Sequence, residues 1–211
     1  MKLVADNLTI DRGDRRVFED LSFTLSSGAA LQVTGANGIG KSSLLRTLAG
    51  LVALHAGRLT VENGDPDLSA GEHCHYFGHQ NANKPALTAL ENLNFWRDFT
   101  ASVSGPFFHT APLPPSEALD LLGIGHTANL PAAYLSAGQG RRLALARLLV
   151  TARPVWLMDE PTSALDTASE ALLLKLMNDH LGRGGLIVTA THSDLALANK
   201  QRLHLQLDEA A

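Results

Sequence analysis

Hydrophobic residues near the start of the chain alternate with polar ones, which is the period of a half-buried β-strand. The segments "LTID" and "DLSFTL" follow this period, and in the second Leu21, Phe23 and Leu25 fall on one face. Three later runs, "AALQVT", "PVWLMD" and "GLIVTA", are apolar almost throughout, as expected of strands buried on both faces. Each is followed by polar residues and then a helical pattern, an order that predicts a mostly parallel sheet with helices on its faces.

The middle of the chain has a different pattern. From Thr88 to about Val150 the hydrophobic spacing is helical, and Thr88 and Glu91 have the spacing of a capping box. A proline-rich stretch, "SGPFFHTAPLPPSEA", interrupts the helical pattern and is predicted to be a loop. We therefore predict an α/β fold with an N-terminal antiparallel subdomain, a core lobe formed by residues 1–80 and 152–211, and a helical lobe inserted at about 81–151.

Composition narrows the classes of protein that fit this pattern. The 17 Lys and Arg residues against 21 Asp and Glu give a net charge of -4 over 211 residues, so no general basic surface for nucleic acid is expected. The single cysteine excludes an internal disulfide framework and fits a reducing compartment such as the cytoplasm. No signal peptide is recognised, and no run approaches the roughly 20 apolar residues of a membrane span. Any work at a membrane would then depend on a partner.

A glycine-rich segment, "TGANGIGKSS", follows the first fully apolar run and opens a helix. Its Gly, four residues, Gly-Lys-Ser pattern lets backbone N–H groups wrap phosphates, while the helix N-terminus adds its positive dipole end. Lys41 then reaches the terminal phosphates and Ser42 ligates Mg²⁺. The predicted nucleotide site consists of Gly35, Ala36, Asn37, Gly38, Ile39, Gly40, Lys41, Ser42 and Ser43.

The segment "PVWLMDEPTSALD" places two carboxylates, Asp159 and Glu160, at the end of a buried strand. Ligands of open parallel sheets bind at the carboxyl ends of the strands. Asp159 is therefore suited to hold Mg²⁺ through water, and Glu160 to polarise the water that attacks the γ-phosphate. The next strand ends in "THSD", which brings His192 to the same edge as a contact for the γ-phosphate. A solvated acidic turn and a simple loop histidine are the alternative interpretations.

A third motif, "LSAGQGRRLALARLL", begins at Leu135 and lies between the phosphate loop and "WLMDEP". It resembles the signature motif of ABC-type ATPases, and the motifs follow one another in the order of that family. The resemblance covers essentially the whole chain and implies a P-loop NTPase fold of the ABC ATPase type, with ATP and Mg²⁺ as cofactors. It also implies a dimer of two copies, in which each ATP lies between the phosphate loop of one copy and the signature of the other.

The resemblance also assigns roles to individual residues. It makes Gln80 the Q-loop glutamine that faces both Mg²⁺ and a membrane partner, Glu160 the catalytic base, His192 the switch histidine, Asp166 the D-loop aspartate, and Ser136, Ala137, Gly138 and Gln139 the contacts to the partner's ATP. Two positions depart from the family pattern. Ala137 replaces a glycine, which we expect to be tolerated. Arg12 stands where an aromatic residue usually stacks on adenine; a guanidinium can stack too, but base selectivity stays open.

The segment "GHQNANKPALTALENLNFW" carries a narrower resemblance. It is similar to the ATP-binding subunit of the haem export system of cytochrome c maturation. That similarity implies docking on an integral-membrane subunit of the CcmB type, with CcmC-like and CcmD-like subunits, at the cytoplasmic face of an inner membrane. It also implies that ATP hydrolysis drives haem export or release of haem from a chaperone, and the residues do not decide between these. The ATPase of another small-substrate exporter is the alternative.

The sequence argues against two other classes of protein and against a metal or haem site. A soluble ABC protein acting on nucleic acid or ribosomes would carry paired ATPase domains, coiled-coil insertions or zinc hooks, so no nucleic-acid partner is expected. A small-molecule P-loop kinase would leave the signature and Gln80 without a role.

The segment "HCHYFGH" offers His73, Cys74, His75 and His79 as possible ligands of a metal or haem. Because His73 and His75 would share one face of a strand and Cys74 the other, packing histidines are expected rather than a metal or haem site.

Overall fold

The computed structural model of the protein describes residues 1–13, 15–100, 111–163 and 165–205. Within these ranges the chain forms two sheets and five α-helices. The strands are β1 (Lys2–Arg12), β2 (Arg15–Ser26), β3 (Ala30–Thr34), β4 (Ala56–Glu62), β5 (Cys74–Phe77), β6 (Val155–Asp159), β7 (Leu186–Ala190) and β8 (Lys200–His204). The helices are α1 (Lys41–Leu48), α2 (Ala89–Phe99), α3 (Pro115–Leu121), α4 (Ala137–Val150) and α5 (Thr167–Gly182).

The N-terminal strands form the antiparallel sheet that their alternating pattern predicts. Its strand order is β2-β1-β4, with Leu3 of β1 opposite Leu25 of β2 and Val61 of β4. Leu3, Leu8 and Leu25 are fully buried and pack against the leucines of α1. The sheet therefore covers one side of α1 and fixes the helix that begins at the phosphate loop.

The apolar runs form a parallel sheet with strand order β5-β6-β7-β3-β8. β6 and β7 are buried along their whole length because helices cover both faces. Side chains alternate between the two faces: Val155 and Leu157 pack in the cluster that contains α1, whereas Trp156 and Met158 pack with α4 and α5. This alternation explains why the strands read as continuous apolar runs rather than as alternating ones.

The region between β5 and β6 is helical, as predicted. α2, α3 and α4 contact one another, with Leu93, Leu119 and Leu143 fully buried among them. The predicted capping box of α2 is confirmed: Glu91 N donates to Thr88 Oγ1 at 3.1 Å, and Thr88 N donates to Glu91 Oε2 at 2.8 Å. The division of the chain into two lobes stays a prediction.

Three local details differ from the sequence predictions. Residues 104–110 of the predicted proline-rich loop lie outside the described residues, but its end is helical, because Pro115 occupies the first position of α3, where a missing N–H costs nothing. His73 lies in a short 3-10 turn, Gly71–His73, rather than in a strand. β8 was not predicted, since "KQRLH" is too charged to resemble a core strand; it pairs with β3 and forms the edge of the sheet among the described strands.

Candidate nucleotide site

The phosphate loop connects β3 to α1 and requires glycine at two positions for different reasons. Gly35 has a φ of 139°, and a Cβ there would approach the Leu205 carbonyl oxygen to 2.7 Å. Gly40 has a φ of 114° and lies against the Val17 side chain, so a Cβ would collide with it. Both conformations are those that L side chains rarely adopt. The loop is therefore held in a shape that brings its backbone close to the start of α1.

Lys41 and the first turn of α1 provide positive charge at this loop. The Lys41 side chain is 9% exposed, and its Nζ donates to the carbonyl oxygens of Gly35 at 2.8 Å and Ala36 at 2.9 Å. No side chain caps the N-terminus of α1, and its first turn contains no acidic residue. Free N–H groups, the helix dipole and an ammonium group in one place form a site for phosphate.

The two predicted carboxylates follow β6 at the same sheet edge. Asp159 is 5% exposed and pairs in register with Ala190, the last residue of β7. Glu160 has a φ of 46°, a strained value for a side chain of its size, and its N–H donates to the Ala190 carbonyl oxygen at 2.8 Å. The hydroxyl of Thr191 donates to Glu160 Oε2 at 3.1 Å. The Glu160 carboxylate is thus held by the end of the neighbouring strand.

His192 connects the carboxylates to the phosphate loop. Its Nε2 lies 2.9 Å from Asn37 Oδ1 and 3.9 Å from Glu160 Oε1. These side chains surround a cleft of about 260 Å³. The cleft is lined by Arg12, Asn37, Gly38, Gly40, Lys41, Ser42, Ser43, Asp159, Glu160 and His192. The structure therefore brings most of the predicted cis residues together, including Arg12 from the end of β1.

The oxygen donors of the cleft fit a Mg²⁺ ion. Ser42 and the buried Asp159 line the same space, and Mg²⁺ typically takes one or two carboxylates together with water and phosphate oxygens. The described residues contain no group of three or more His, Cys, Asp or Glu side chains suited to a metal. Such a cluster is not what a nucleotide-bound Mg²⁺ needs. Gln80, the third predicted metal residue, is exposed and is not among the described residues that line the cleft.

The signature residues also lie outside the cleft. Ser136 caps α4: Gln139 N donates to Ser136 Oγ at 3.2 Å, and Ser136 N donates to Gln139 Oε1 at 2.9 Å. Ala137 begins the helix, and the space that a side chain at Gly138 would enter is open. Within the described part of the chain, none of these four residues lines the cleft.

Asp166 is connected to the signature helix rather than to the cleft. Its Oδ1 caps α5 by accepting the Ser169 N–H at 2.8 Å, and its Oδ2 accepts from Arg142 of α4 at 2.8 Å. The hydrogen bond from the Ser169 N–H, followed by the Arg142 charge, keeps the pKa of the Asp166 carboxyl below its usual value. Asp166 and α4 are therefore directly connected, through the hydrogen bond between Asp166 and Arg142.

Three residues near the site escaped the sequence analysis. Thr191 lies directly before His192, and a hydroxyl there could have been noticed as a partner for Glu160. His126 Nε2 lies 3.4 Å from the Gln139 amide nitrogen, and nothing in its local sequence indicates this contact. Arg141 reaches the backbone of Glu160 from α4 at 2.9 Å. Its sequence signal was only its place in a helical pattern, which does not show what lies across from it.

The histidine-rich segment is structural. His73 is buried and its ring nitrogens contact Asp65 N at 3.0 Å and Ser69 O at 2.8 Å. His75 Nε2 contacts Thr151 O at 2.7 Å, and burial lowers its pKa to about 3. Burial raises the pKa of the Cys74 thiol to about 12. Burial therefore holds the His75 ring and the Cys74 thiol in neutral form, and backbone partners fix the rings of His73 and His75.

The fold and the cleft together define a P-loop nucleotide-binding protein. The family model described as ABC transporter matches residues 18–163, more than half of the chain. The chain belongs to the ABC transporter family. It therefore binds nucleotide and has the ATP-hydrolysing domain of that family, as its resemblance implied.

Three relatives of similar length carry the same name. The cytochrome c biogenesis ATP-binding export protein CcmA of Nitrobacter winogradskyi is 50% identical over 202 residues, covering 95% of this chain and 96% of the relative. The proteins of the same name from Chelativorans sp. and Agrobacterium fabrum are 50% and 46% identical, each covering 97% of this chain and 98% and 95% of the relative. The narrower resemblance predicted from the segment after Gln80 is confirmed at this level of similarity.

Solved structures confirm the predicted fold class. The ATP-binding subunit of an ABC transporter matches with a TM-score of 0.78 at 22% identity, over 91% of this chain and 80% of that chain. An ABC transporter ATP-binding protein from Pyrococcus furiosus matches with a TM-score of 0.75 at 20% identity, over 97% and 98% of the two chains. In the described residues of this protein, no helix is both long and apolar enough to cross a membrane.

Proposed function

We propose that this protein is the ATP-hydrolysing motor subunit of an ABC transporter complex in cytochrome c biogenesis, and that hydrolysis drives haem export or release of haem from a chaperone. The observation that carries the motor assignment is the cleft, where the phosphate loop, Asp159, Glu160 and His192 converge at one sheet edge. The pathway is supported by relatives about half identical over nearly the whole chain, which are named cytochrome c biogenesis ATP-binding export proteins. The activity would then be that of a haem-transporting ATPase.

In this proposal the phosphate loop and α1 bind the ATP phosphates. Lys41 leaves the carbonyl oxygens of Gly35 and Ala36 to bind the terminal phosphates, and residues 37–43 contribute backbone N–H groups. Arg12 stacks its guanidinium on the base. A bound Mg²⁺, held by Ser42 and Asp159, would offset the charge on the phosphate oxygens.

Glu160 acts as the general base in the proposed hydrolysis. Its carboxylate accepts a proton from the attacking water, and the Thr191 hydroxyl keeps one of its oxygens in place. His192, which already contacts Asn37 in the phosphate loop, donates to the γ-phosphate. Gln80 completes the set from the segment after β5, once that segment moves toward the nucleotide.

A second copy of the chain supplies the missing contacts. Ser136, Ala137, Gly138, Gln139 and Asp166 lie together near the start of α4 but away from the cleft of their own chain. In a dimer they would face the ATP of the other copy, with the N-terminus of α4 directed at phosphate. Each site would be complete only in the dimer, so hydrolysis should be cooperative.

The membrane partner is proposed to bind near the exposed Gln80. The chain would act at the cytoplasmic face of an inner membrane through a CcmB-like subunit, with CcmC-like and CcmD-like subunits. Residues 81–151 would form the helical lobe, and residues 1–80 with 152–211 the core lobe. Movement of one lobe against the other would pass from the ATP site to the partner through the segment that follows Gln80.

The test is recovery of the protein from detergent-solubilised membranes of its own host, with ATPase activity measured on the recovered complex. Glu160→Gln removes the base and should lower the hydrolysis rate at least about hundredfold. Glu117→Gln makes the same chemical change on the exposed surface of α3 and should leave the rate unchanged. Recovery of a multi-span partner from the cytochrome c pathway would support the whole proposal. ATPase activity with a different exporter's membrane subunit would support the motor and contradict the pathway.

The dimer has its own test. Glu160→Gln should bind ATP and hydrolyse it only slowly, so it should remain dimeric during size-exclusion chromatography with light scattering. The wild type should return to monomer as ATP is consumed. A Glu160→Gln protein that is saturated with ATP but monomeric would contradict the proposed dimer.

A further inference from the structure

Arg141 is a buried arginine of α4 that contacts both Glu160 and the segment 77–81. It lies in the second turn of α4 and is 3% exposed. Its Nη2 donates to the Glu160 carbonyl oxygen at 2.9 Å, and its Nη1 donates to the Gly78 carbonyl oxygen at 2.8 Å. Nη1 also lies 3.2 Å from Asn81 Oδ1, and the guanidinium carbon lies 3.9 Å from the centre of the Phe77 ring.

The guanidinium bonds to carbonyl and amide oxygens rather than to a carboxylate in the described part of the chain. Burial lowers the pKa of Arg141 to about 10, with the charge of Asp159 acting in the opposite direction. A cation that is buried without an anion in contact is costly, and a simple packing role would be served by an apolar side chain. The planar fork of arginine, however, can reach two carbonyl oxygens in different segments at the same time.

One of those two carbonyl oxygens belongs to Glu160, whose backbone needs support. A φ of 46° at a glutamate is strained and persists only where neighbouring groups hold it. The Glu160 N–H is held by Ala190 of β7, and its carbonyl oxygen is held by Arg141 of α4. The direction of the Glu160 side chain follows from this backbone conformation.

We propose that Arg141 is a positioning residue: it orients Glu160 for hydrolysis and ties that orientation to the segment 78–81 and to the helix that begins with the signature. This proposal rests on the proposed function and deepens it. α4 begins at Ala137, one turn before Arg141, so a shift of the signature on the partner's ATP is carried to Glu160 through one side chain. Hydrolysis in one half of the dimer would thereby depend on nucleotide in the other.

A second buried arginine of α4 offers a matched control. Arg147 donates to the carbonyl oxygens of Asn81 at 3.2 Å and Tyr76 at 3.3 Å, and it lies 4.7 Å from the centre of the Trp96 ring. Burial lowers its pKa to about 10 as well. Arg147 therefore resembles Arg141 in burial, charge and contact with the same segment. It differs from Arg141 in one respect: among the described residues, Arg147 makes no hydrogen bond to Glu160.

The experiment compares Arg141→Lys with Arg147→Lys in the recovered membrane complex. Lysine keeps the charge but lacks the planar fork whose two ends reach carbonyl oxygens in different segments. Arg141→Lys should lower kcat at least about tenfold while KM for ATP changes less than about threefold, because substrate binding does not involve the residue. Arg147→Lys should keep kcat within about threefold of the wild type. The decisive measurement is the single-turnover rate of radiolabelled ATP hydrolysis in the Glu160→Gln background. There Arg141→Lys should reduce the residual rate less than about twofold, because the group it positions is already gone.

Each outcome decides one question. A wild-type complex without ATPase activity would contradict the proposed function. An active wild type in which both lysine variants lose kcat equally, or in which the Arg141→Lys loss is undiminished in Glu160→Gln, would overturn the positioning role alone. If Arg141→Lys does not fold, Arg141→Gln provides the same comparison, since its amide can donate to one carbonyl oxygen. Its residual rate in the Glu160→Gln background should again be almost unchanged.

Discussion

The two helices that begin at nucleotide motifs, α1 and α4, start in opposite ways. α1 begins at Lys41 with no side-chain cap, and within the described residues Lys41 Nζ donates to two carbonyl oxygens of the loop itself. α4 begins with a complete capping box between Ser136 and Gln139. Both first turns lack acidic residues. One helix start is therefore ready for an anion, whereas at the other the N–H groups of Ser136 and Gln139 are occupied by the motif itself.

This difference accounts for the order of events in a site shared by two chains. A single chain can bind phosphate at α1 without giving up any helix cap. At α4, phosphate must compete with the Ser136 cap, which is typically worth about 1 kcal/mol. The signature should therefore engage only after ATP is bound and the second copy has docked. Under the proposed function, nucleotide binding and dimer formation would then be separate steps, because the two helices are capped differently.

The largest predicted effect is the loss of ATP affinity when the phosphate site at the start of α1 is altered. Lys41→Ala removes the charge-assisted hydrogen bonds to the terminal phosphates. Affinity for ATP should fall at least about hundredfold, or about 2.7 kcal/mol, as measured by calorimetric titration of the isolated chain. Lys175→Ala, on the exposed face of α5, is the control for loss of one lysine and should bind as the wild type does. Unchanged binding by Lys41→Ala would contradict the phosphate-loop assignment.

A smaller effect, of a different kind, is expected on the α4 side. Ser136→Ala should bind ATP normally as an isolated chain but lower kcat about tenfold in the complex, because its hydroxyl is needed only at the partner's nucleotide. Its stability should fall by about 1 kcal/mol through loss of the cap. Thr88→Ala removes the equivalent cap of α2 and is the matched control. Equal kcat losses in the two variants would mean that the Ser136 effect is only structural.

The sequence predicts the parts of this molecule that follow from local pattern. Buried strands, the phosphate loop and the capping box at Thr88 are each encoded within a few neighbouring residues. The carboxyl ends of parallel strands meet at one edge, so the sequence alone predicts that Asp159, Glu160 and His192 lie close together. β8 could not be recognised in the same way, because an edge strand with charged side chains lacks the apolar pattern of its neighbours.

Contacts between distant segments were beyond the sequence. Arg141 and Glu160 are separated by 19 positions, and their contact depends on how α4 crosses the end of β6. The hydrogen bond from Thr191 to Glu160 spans 31 positions. For Gln80 the family resemblance predicts a role in the site, but the residue is exposed in the isolated chain. Under the proposed function, Gln80 enters the site only when the segment after β5 moves toward the nucleotide.

The smallest predicted effect concerns acid, and it separates the far end of α4 from both nucleotide ends. His75 Nε2 and His180 Nε2 donate to the carbonyl oxygens of Thr151 and Pro154, in the turn that joins α4 to β6. Burial lowers the pKa of His75 to about 3 and that of His180 to about 4. Below pH 6.5 the unfolded chain therefore binds protons that the folded chain does not. The stabilisation by the two neutral histidines is complete above the pKa of a histidine in the unfolded chain. It is lost as the pH falls toward the lowered pKa values of His75 and His180.

From pH 7.5 to 6.0 each histidine should cost about 0.8 kcal/mol of unfolding free energy, measured by urea titration at each pH. His75→Gln keeps a donor for the Thr151 carbonyl oxygen but cannot be protonated, so it should remove about half of the loss assigned to this pair. His204→Gln, at an exposed position of β8, controls for the chemical change. A pH dependence that is unaltered in His75→Gln, or reduced equally in His204→Gln, would mean that acid acts elsewhere. If the assignment holds, mild acid weakens the turn after α4 before it alters either helix start, because the titrating groups lie at the opposite end of that helix.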